Sequence, residues 1–64
     1  MTLARTIKRL RTDCRLTQAQ LAKKTKITQS FIAQLETGVE TNPTLATLQR
    51  LAEALTVPVS ELLR

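Results

Sequence analysis

The side chains that could do chemistry in this 64-residue chain are amides and hydroxyls rather than catalytic groups. The sequence has no His, one Cys and one Gly. It therefore lacks a nucleophile paired with a His base, a Cys/His zinc site and a Gly-rich loop for a nucleotide. We expect no enzyme activity, no cofactor and no metal. Cys14 continues the spacing of an apolar helical face, which predicts a buried core residue in a reducing compartment.

An uncharged polar flank lies near the middle of the chain, on a helix predicted over residues 29–37. Its members are Gln29, Ser30, Ala33 and Gln34. A surface helix normally carries Lys and Glu on such a flank, so this composition needs a reason. Base edges offer hydrogen-bond donors and acceptors without a full charge, and a Gln amide can bind adenine N6 and N7 together. The flank therefore favours the reading of bases.

Two helix starts would position this flank. Thr17 and Gln20 have the spacing of a capping box, and Thr28 is a second N-cap residue further along the chain. Only residues 25–27 remain between the two helices, which leaves room for a turn and nothing more. Two short helices joined by a tight turn are the layout of a DNA-reading helix-turn-helix.

The remaining helices follow from apolar periodicity and from Pro and Gly breaks. The predicted helices cover residues 3–15, 18–24, 29–37 and 45–55, with one or two turns of a fifth helix at 60–63. Ala, Leu, Gln, Lys and Arg dominate, and Phe31 is the one aromatic residue. The sequence therefore predicts an all-α protein, a compact bundle of five short helices that forms a single domain over residues 1–64.

Charge is distributed unevenly along the chain. Residues 1–32 contain eight Lys or Arg and one Asp, whereas residues 33–64 contain two Arg and four Glu. A domain polarised in this way presents one basic side, and polyanions are its expected partners, nucleic acid before membrane. No apolar run approaches the roughly 20 residues of a membrane span, and the N-terminus lacks the apolar segment of a signal peptide. We therefore expect a cytoplasmic protein without membrane contact.

The C-terminal segment is more apolar than a short helix needs for its own packing. Its apolar members are Val57, Val59, Leu62 and Leu63. We expect part of this segment to form a two-fold contact between two copies. The alternative is that all four side chains are buried within the monomer.

Five stretches of the chain match one family in order and spacing. They are residues 7–11 with 16–18, residues 21–22, residues 28–30 through Ile32 to Glu36 and Gly38, residues 42–45, and residues 51–55. Over nearly its whole length the sequence resembles the phage-repressor and Cro-like helix-turn-helix regulators of bacteria and their phages. A lone helix-turn-helix pattern is a weak signal, whereas the five stretches together are a strong one.

The resemblance implies a role for individual residues. Gln29, Ser30 and Gln34 match base-reading positions of a third helix in the DNA major groove, and Ala33 lies where a methyl contact to thymine is possible. Side chains or helix-start N–H groups that match phosphate-binding positions are those of Thr17, Gln18, Thr28 and Thr37. Arg11 and Glu36 match a structural ion pair between the first helix and the end of the third.

Positive side chains are expected to add phosphate contacts that do not depend on sequence. They are Lys23, Lys26 and Arg9. Lys26 stands where the family usually has Gly in the turn. A left-handed residue other than Gly costs on the order of 1 kcal/mol, so we expect either a reshaped turn or a phosphate contact that offsets the cost.

Together these observations predict a sequence-specific regulator of transcription that binds double-stranded DNA, most simply a repressor. One recognition helix reads only a few base pairs, so we expect a homodimer on an inverted repeat. The alternative is an antitoxin or accessory protein that mainly holds a partner protein, with DNA binding secondary.

Overall fold

A computed structural model describes residues 2–63, and this part of the chain forms four α-helices and one 3₁₀ turn. The helices are α1 (Leu3–Asp13), α2 (Gln18–Thr25), α3 (Gln29–Thr37) and α4 (Leu45–Ala54), and the 3₁₀ turn is Val59–Glu61. The all-α prediction is confirmed. The prediction of five helices is wrong, because the segment after Pro58 makes a single 3₁₀ turn before the chain passes Leu62.

Each α-helix begins at a threonine whose hydroxyl oxygen accepts a hydrogen bond from a main-chain N–H of the first turn. These N-cap residues are Thr2, Thr17, Thr28 and Thr44. At Thr17 the predicted capping box is complete: its Oγ1 accepts from the Gln20 N–H at 3.0 Å, and its own N–H donates to Gln20 Oε1 at 2.8 Å. Such caps satisfy N–H groups that have no partner within the helix.

The helix ends depend on residues in the left-handed backbone conformation. Arg15, Lys26 and Thr56 have φ near +60°, and Gly38 has φ +84°. Only Gly adopts this region without steric cost, since it has no Cβ. The chain thus places strained residues after α1, α2 and α4.

Cys14 corrects a prediction made from spacing. The first helix was expected to reach residue 15 with Cys14 on its buried face, but α1 ends at Asp13 and Cys14 is exposed. The Arg15 N–H bonds to the Thr12 carbonyl and the Leu16 N–H to the Arg11 carbonyl, which is the bonding of a Schellman end. The Cys14 N–H still bonds to the Leu10 carbonyl at 3.0 Å, and its Sγ donates to the Leu55 carbonyl at 3.6 Å. The spacing therefore gave the side of α1 on which Cys14 lies, but the chain turns away at Arg15 and the residue is exposed at the helix end.

The core is aliphatic and draws on every helix. The fully buried side chains are those of Ile7, Leu21, Ile32, Leu35, Leu51 and Leu55. Helix α3 packs against α1 and α2, while α4 packs against α2 and the 3₁₀ turn. Phe31 lies partly buried against this core. No helix within residues 2–63 combines the length and the apolar character needed to cross a bilayer.

Thr25 is a buried hydroxyl that fixes the turn between α2 and α3. Its Oγ1 donates to the Leu21 carbonyl at 2.8 Å and accepts from the Ile27 N–H at 3.3 Å. Lys26, which lies between Thr25 and Ile27 in the left-handed conformation, donates its main-chain N–H to the Ala22 carbonyl. Ala22 is buried and small, which allows α3 to cross α2 closely. The tight turn of the predicted helix-turn-helix is therefore present, with Lys26 in the conformation that favours Gly.

The C-terminal segment divides between core and surface. Leu62 is only 3% exposed and belongs to the core, whereas Leu63 is 61% exposed. Val57 and Val59 are partly buried against the core. Leu62 must therefore be removed from the predicted contact between two copies, because the 3₁₀ turn directs it towards the chain's own interior.

Candidate nucleic-acid interface

The polar flank of α3 is open to solvent along its length. Gln29, Ser30 and Gln34 are exposed, and Ala33 is partly buried. Within the described residues, the side chains of Gln29, Ser30 and Gln34 form no hydrogen bond. Their amide and hydroxyl groups are free to pair with an external partner. An α-helix of this diameter fits the major groove of B-form DNA, which is about 12 Å wide.

The same flank carries no formal charge. Glu36 is the one charged residue of α3, and its side chain is 3% exposed and bonded to α1. Hydrogen-bond donors and acceptors therefore project from α3 without an exposed charged side chain of the same helix beside them. This arrangement suits discrimination between base edges, which differ in donor and acceptor pattern rather than in charge.

Arg11 and Glu36 form the ion pair that the resemblance implies. Arg11 Nε donates to Glu36 Oε2 at 2.6 Å, and Arg11 Nη2 donates to Glu36 Oε1 at 2.9 Å. The remaining guanidinium nitrogen, Nη1, donates to the Leu16 carbonyl at 2.7 Å. One side chain thus connects α1 with the segment before α2 and with the C-terminal part of α3. Paired donors of this kind are stronger and more directional than a single charged contact.

Gln18 also belongs to this network. Its Nε2 donates to Glu36 Oε1 at 3.2 Å, and the side chain is partly buried. The amide nitrogen of Gln18 is therefore engaged within the protein rather than free for an external partner. Sequence reasoning missed this bond, since no local pattern connects α2 to the end of α3.

The network sets the charge state of its two members. Burial alone would raise the pKa of Glu36, but the hydrogen bonds from Arg11 and Gln18, with the charges of Arg11 and Lys8, outweigh it and hold that pKa below its ordinary value. The hydrogen bond to Glu36 raises the pKa of Arg11 despite burial. Both groups are therefore charged near neutral pH.

Most of the residues expected to bind phosphate lie on the exposed surface. Exposed members of this set are Thr17, Thr28, Thr37, Lys23, Lys26 and Arg9. The hydroxyls of Thr17 and Thr28 accept main-chain hydrogen bonds and keep their own hydrogen for an external acceptor. Thr37 donates its hydroxyl to the Gln34 carbonyl, and Arg9 lies 3.7 Å from Asp13. Thr37 and Arg9 thus have internal partners that a phosphate would replace.

Comparisons with known proteins agree with this geometry. A family model described as helix-turn-helix matches residues 7–62. The chain is similar to the immunity repressor protein of Bacillus phage phi105, with 42% identity over 94% of this chain and 41% of the relative. It is 38% identical to an uncharacterized HTH-type transcriptional regulator of Coxiella burnetii, over 95% of this chain and 28% of the relative. The chain therefore spans less than half the length of these curated relatives.

Two solved structures share the fold. The crystal structure of SinR, the master regulator for biofilm formation, in complex with DNA superposes with a TM-score of 0.96 and 27% identity, covering 98% of this chain and all of the other. The restriction-modification controller protein C.AhdI from Aeromonas hydrophila superposes with a TM-score of 0.89 and 30% identity. That match covers 94% of this chain and 89% of C.AhdI.

Proposed function

Because this chain belongs to the helix-turn-helix family of the Cro/C1 type, we propose that it is the DNA-binding unit of a transcriptional repressor. In this proposal residues 1–64 act as one domain that places α3 in the major groove of double-stranded DNA. The similarity to a phage immunity repressor and to SinR in complex with DNA supports it. The single observation that carries the proposal is the exposed, uncharged flank of Gln29, Ser30 and Gln34, whose side chains form no hydrogen bond within residues 2–63.

Base reading and phosphate binding fall to different residues in this proposal. Gln29, Ser30 and Gln34 pair with base edges, and Ala33 contacts a thymine methyl group. Phosphate binding belongs to the surrounding exposed groups, namely Thr17, Thr28, Thr37, Lys23, Lys26 and Arg9, with the main-chain N–H of Gln18. The N-termini of α2 and α3 suit this role, since the helix dipole and the free N–H groups favour an anion.

A homodimer supplies the specificity that one α3 lacks. Two copies on half-sites about one helical turn apart would read twice as many base pairs and would give an inverted-repeat operator. Leu63 is the exposed apolar side chain at the end of the described chain, and Val57 and Val59 lie partly exposed in the same segment. We assign the two-fold contact to these three residues, with Leu62 supporting them from the core.

Selection of bound sequences from a random duplex pool tests the proposal directly. The expected result is an enriched inverted repeat whose half-sites are about 10 base pairs apart centre to centre. A Gln29→Ala/Gln34→Ala variant is the matched control and should lose the preference while it still retains DNA in low salt. Absence of any enriched sequence with the unaltered chain would contradict the proposal. It would favour the alternative of an antitoxin or accessory protein, for which a co-purifying partner is the expected finding.

A further inference from the structure

An open depression of about 340 Å³ lies between the end of α2 and the C-terminal half of α4. Its lining residues are Lys24, Thr25, Lys26, Arg50, Glu53 and Ala54. Three of these side chains are cationic and one is anionic, so the depression is positive. The sequence places Lys26 in this turn and predicts a phosphate contact for it. Its meeting with Lys24 and Arg50 was not predicted, because Arg50 is distant from the two lysines along the chain.

Lys24, Lys26 and Arg50 form no ion pair with another residue of the described range 2–63. Among residues 2–63 the ion pairs are Arg9 with Asp13 and Arg11 with Glu36, and neither involves the depression. Glu53 lines the same surface but forms no ion pair with Lys24, Lys26 or Arg50. The hydroxyl of Thr25 is already bonded to the Leu21 and Ala22 carbonyls. Binding at this surface would therefore rest on the cations alone.

The dipole of α2 accounts for only part of this cluster. Lys24 and Lys26 lie at the C-terminal end of α2, where positive side chains are favoured by the helix carbonyls. Arg50 lies in the interior of α4, where no helix end favours it. Its position against the two lysines raises the local positive charge and so points to an anion from outside the protein.

We propose that Lys24, Lys26 and Arg50 bind backbone phosphates of the DNA that flanks the base pairs read by α3. The inference rests on the proposed function. Lys26 precedes Gln29 by three residues, so their Cα atoms are at most about 11 Å apart. The chain enters α3 through Lys26, so the depression is on the side of the N-terminal end of α3. In this proposal the N-terminal end of α3 is turned towards the outside of the half-site, where the depression would face the phosphates of the flanking base pairs. The phosphates of these flanking base pairs would balance the positive charges of Lys24, Lys26 and Arg50.

The experiment compares two lengths of the duplex obtained by selection. One ends at the outermost enriched base pair, and the other carries six further base pairs of unselected sequence on each side. The unaltered protein should bind the long duplex several-fold more tightly at moderate salt. A Lys24→Gln/Arg50→Gln variant should lose that advantage, and the slope of log affinity against log salt on the long duplex should fall by about two.

Matched variants separate this inference from the proposed function. Arg5→Gln removes an exposed cation of α1 outside the depression, and it should leave the advantage of the long duplex unchanged. Glu53→Gln removes the one negative charge of the depression and should increase that advantage. Equal affinity of the unaltered protein for both duplexes, or an advantage that survives in Lys24→Gln/Arg50→Gln, would overturn the inference. Either result leaves the selected operator, and with it the proposed function, intact.

Discussion

Gln18 and Arg11 donate hydrogen bonds to the same carboxylate oxygen of Glu36, at 3.2 and 2.9 Å. The start of α2 and the body of α1 therefore depend on one side chain near the end of α3. Because Glu36 is 3% exposed and Arg11 12% exposed, neither charge can recover full hydration if the other is removed. A substitution of Arg11 or Glu36 should therefore change the geometry of both α2 and α3.

Arg11→Ala should destabilise the domain by about 1 to 3 kcal/mol, because it leaves the carboxylate of Glu36 buried without its principal donor. Urea unfolding followed by circular dichroism measures the change. Arg9→Ala is the matched control. Arg9 and Asp13 form an exposed pair at 3.7 Å, so its loss should cost less than about 0.5 kcal/mol. Equal losses in the two variants would contradict a structural role for the Arg11 network.

Lowering the pH should reduce the free energy of unfolding, because Glu36 becomes protonated. The pKa of Glu36 is lowered in the folded state from its ordinary value of 4.5, so the folded state binds this proton less readily than the unfolded chain. The resulting stability is complete above about pH 4.5 and is lost as the pH falls through the lower folded-state pKa. Urea midpoints between pH 7 and pH 3 measure the loss. Glu36→Gln should flatten that dependence.

Substitutions in α3 and α2 should separate base reading from phosphate binding. Gln29→Ala or Gln34→Ala should relax the preference at single base pairs by about 1 to 3 kcal/mol. Lys23→Ala should weaken binding to all duplexes alike and reduce the salt slope by about one. Fluorescence anisotropy on the selected operator and on random duplexes measures both effects. If Gln29→Ala lowered affinity for random DNA as much as for the operator, Gln29 would not be a base reader.

Glycine at the left-handed positions should stabilise the protein. Lys26 and Thr56 have φ of +60° and +57°, so Lys26→Gly and Thr56→Gly should each raise the free energy of unfolding by about 0.5 to 1 kcal/mol. The two should differ in DNA affinity, since Lys26 is assigned to phosphate and Thr56 is not. Lys26→Gly should bind more weakly with a smaller salt slope, and Thr56→Gly should bind as the unaltered chain does. If both variants were less stable than the unaltered chain, the left-handed conformation of Lys26 and Thr56 would not be a source of strain.

The end of the chain should respond differently at two neighbouring positions. Leu63→Glu places a charge on an exposed side chain, so it should weaken self-association and operator affinity without changing monomer stability. Leu62→Ala removes a core side chain and should cost about 2 to 4 kcal/mol of stability. Sedimentation and thermal unfolding distinguish the two. A Leu63→Glu chain that still dimerises and still binds tightly would exclude Leu63 from the interface.

The helix starts were predictable because their cause is local. A threonine that accepts a main-chain N–H three residues ahead is visible in sequence, as at Thr17 and Thr28. The helix ends were less predictable, since Arg15 and Thr56 adopt a conformation that their residue types disfavour. The exposure of Cys14 was missed for this reason: spacing gives its side of α1, but it does not show that the chain turns away at Arg15, directly after it.

Contacts between distant segments account for what the sequence left undetermined. The bond from Gln18 to Glu36, the burial of Leu62 and the meeting of Arg50 with Lys24 each require the packed fold. The exposed flank of α3 was accessible from the sequence because the buried positions Ile32 and Leu35 determine which side faces outwards. Which of its residues contacts which base is a property of the complex with DNA.

The neutrality of the α3 flank also bears on how such a domain would find its site. Lysines and arginines hold the backbone of any duplex equally, so they permit diffusion along it without favouring a stopping place. The uncharged amides of α3 add no further attraction to phosphate that would slow this diffusion. Residence would lengthen only where complementary base edges replace the water that Gln29 and Gln34 otherwise bind. Search speed and dwell time would therefore be set by separate side chains and could evolve independently.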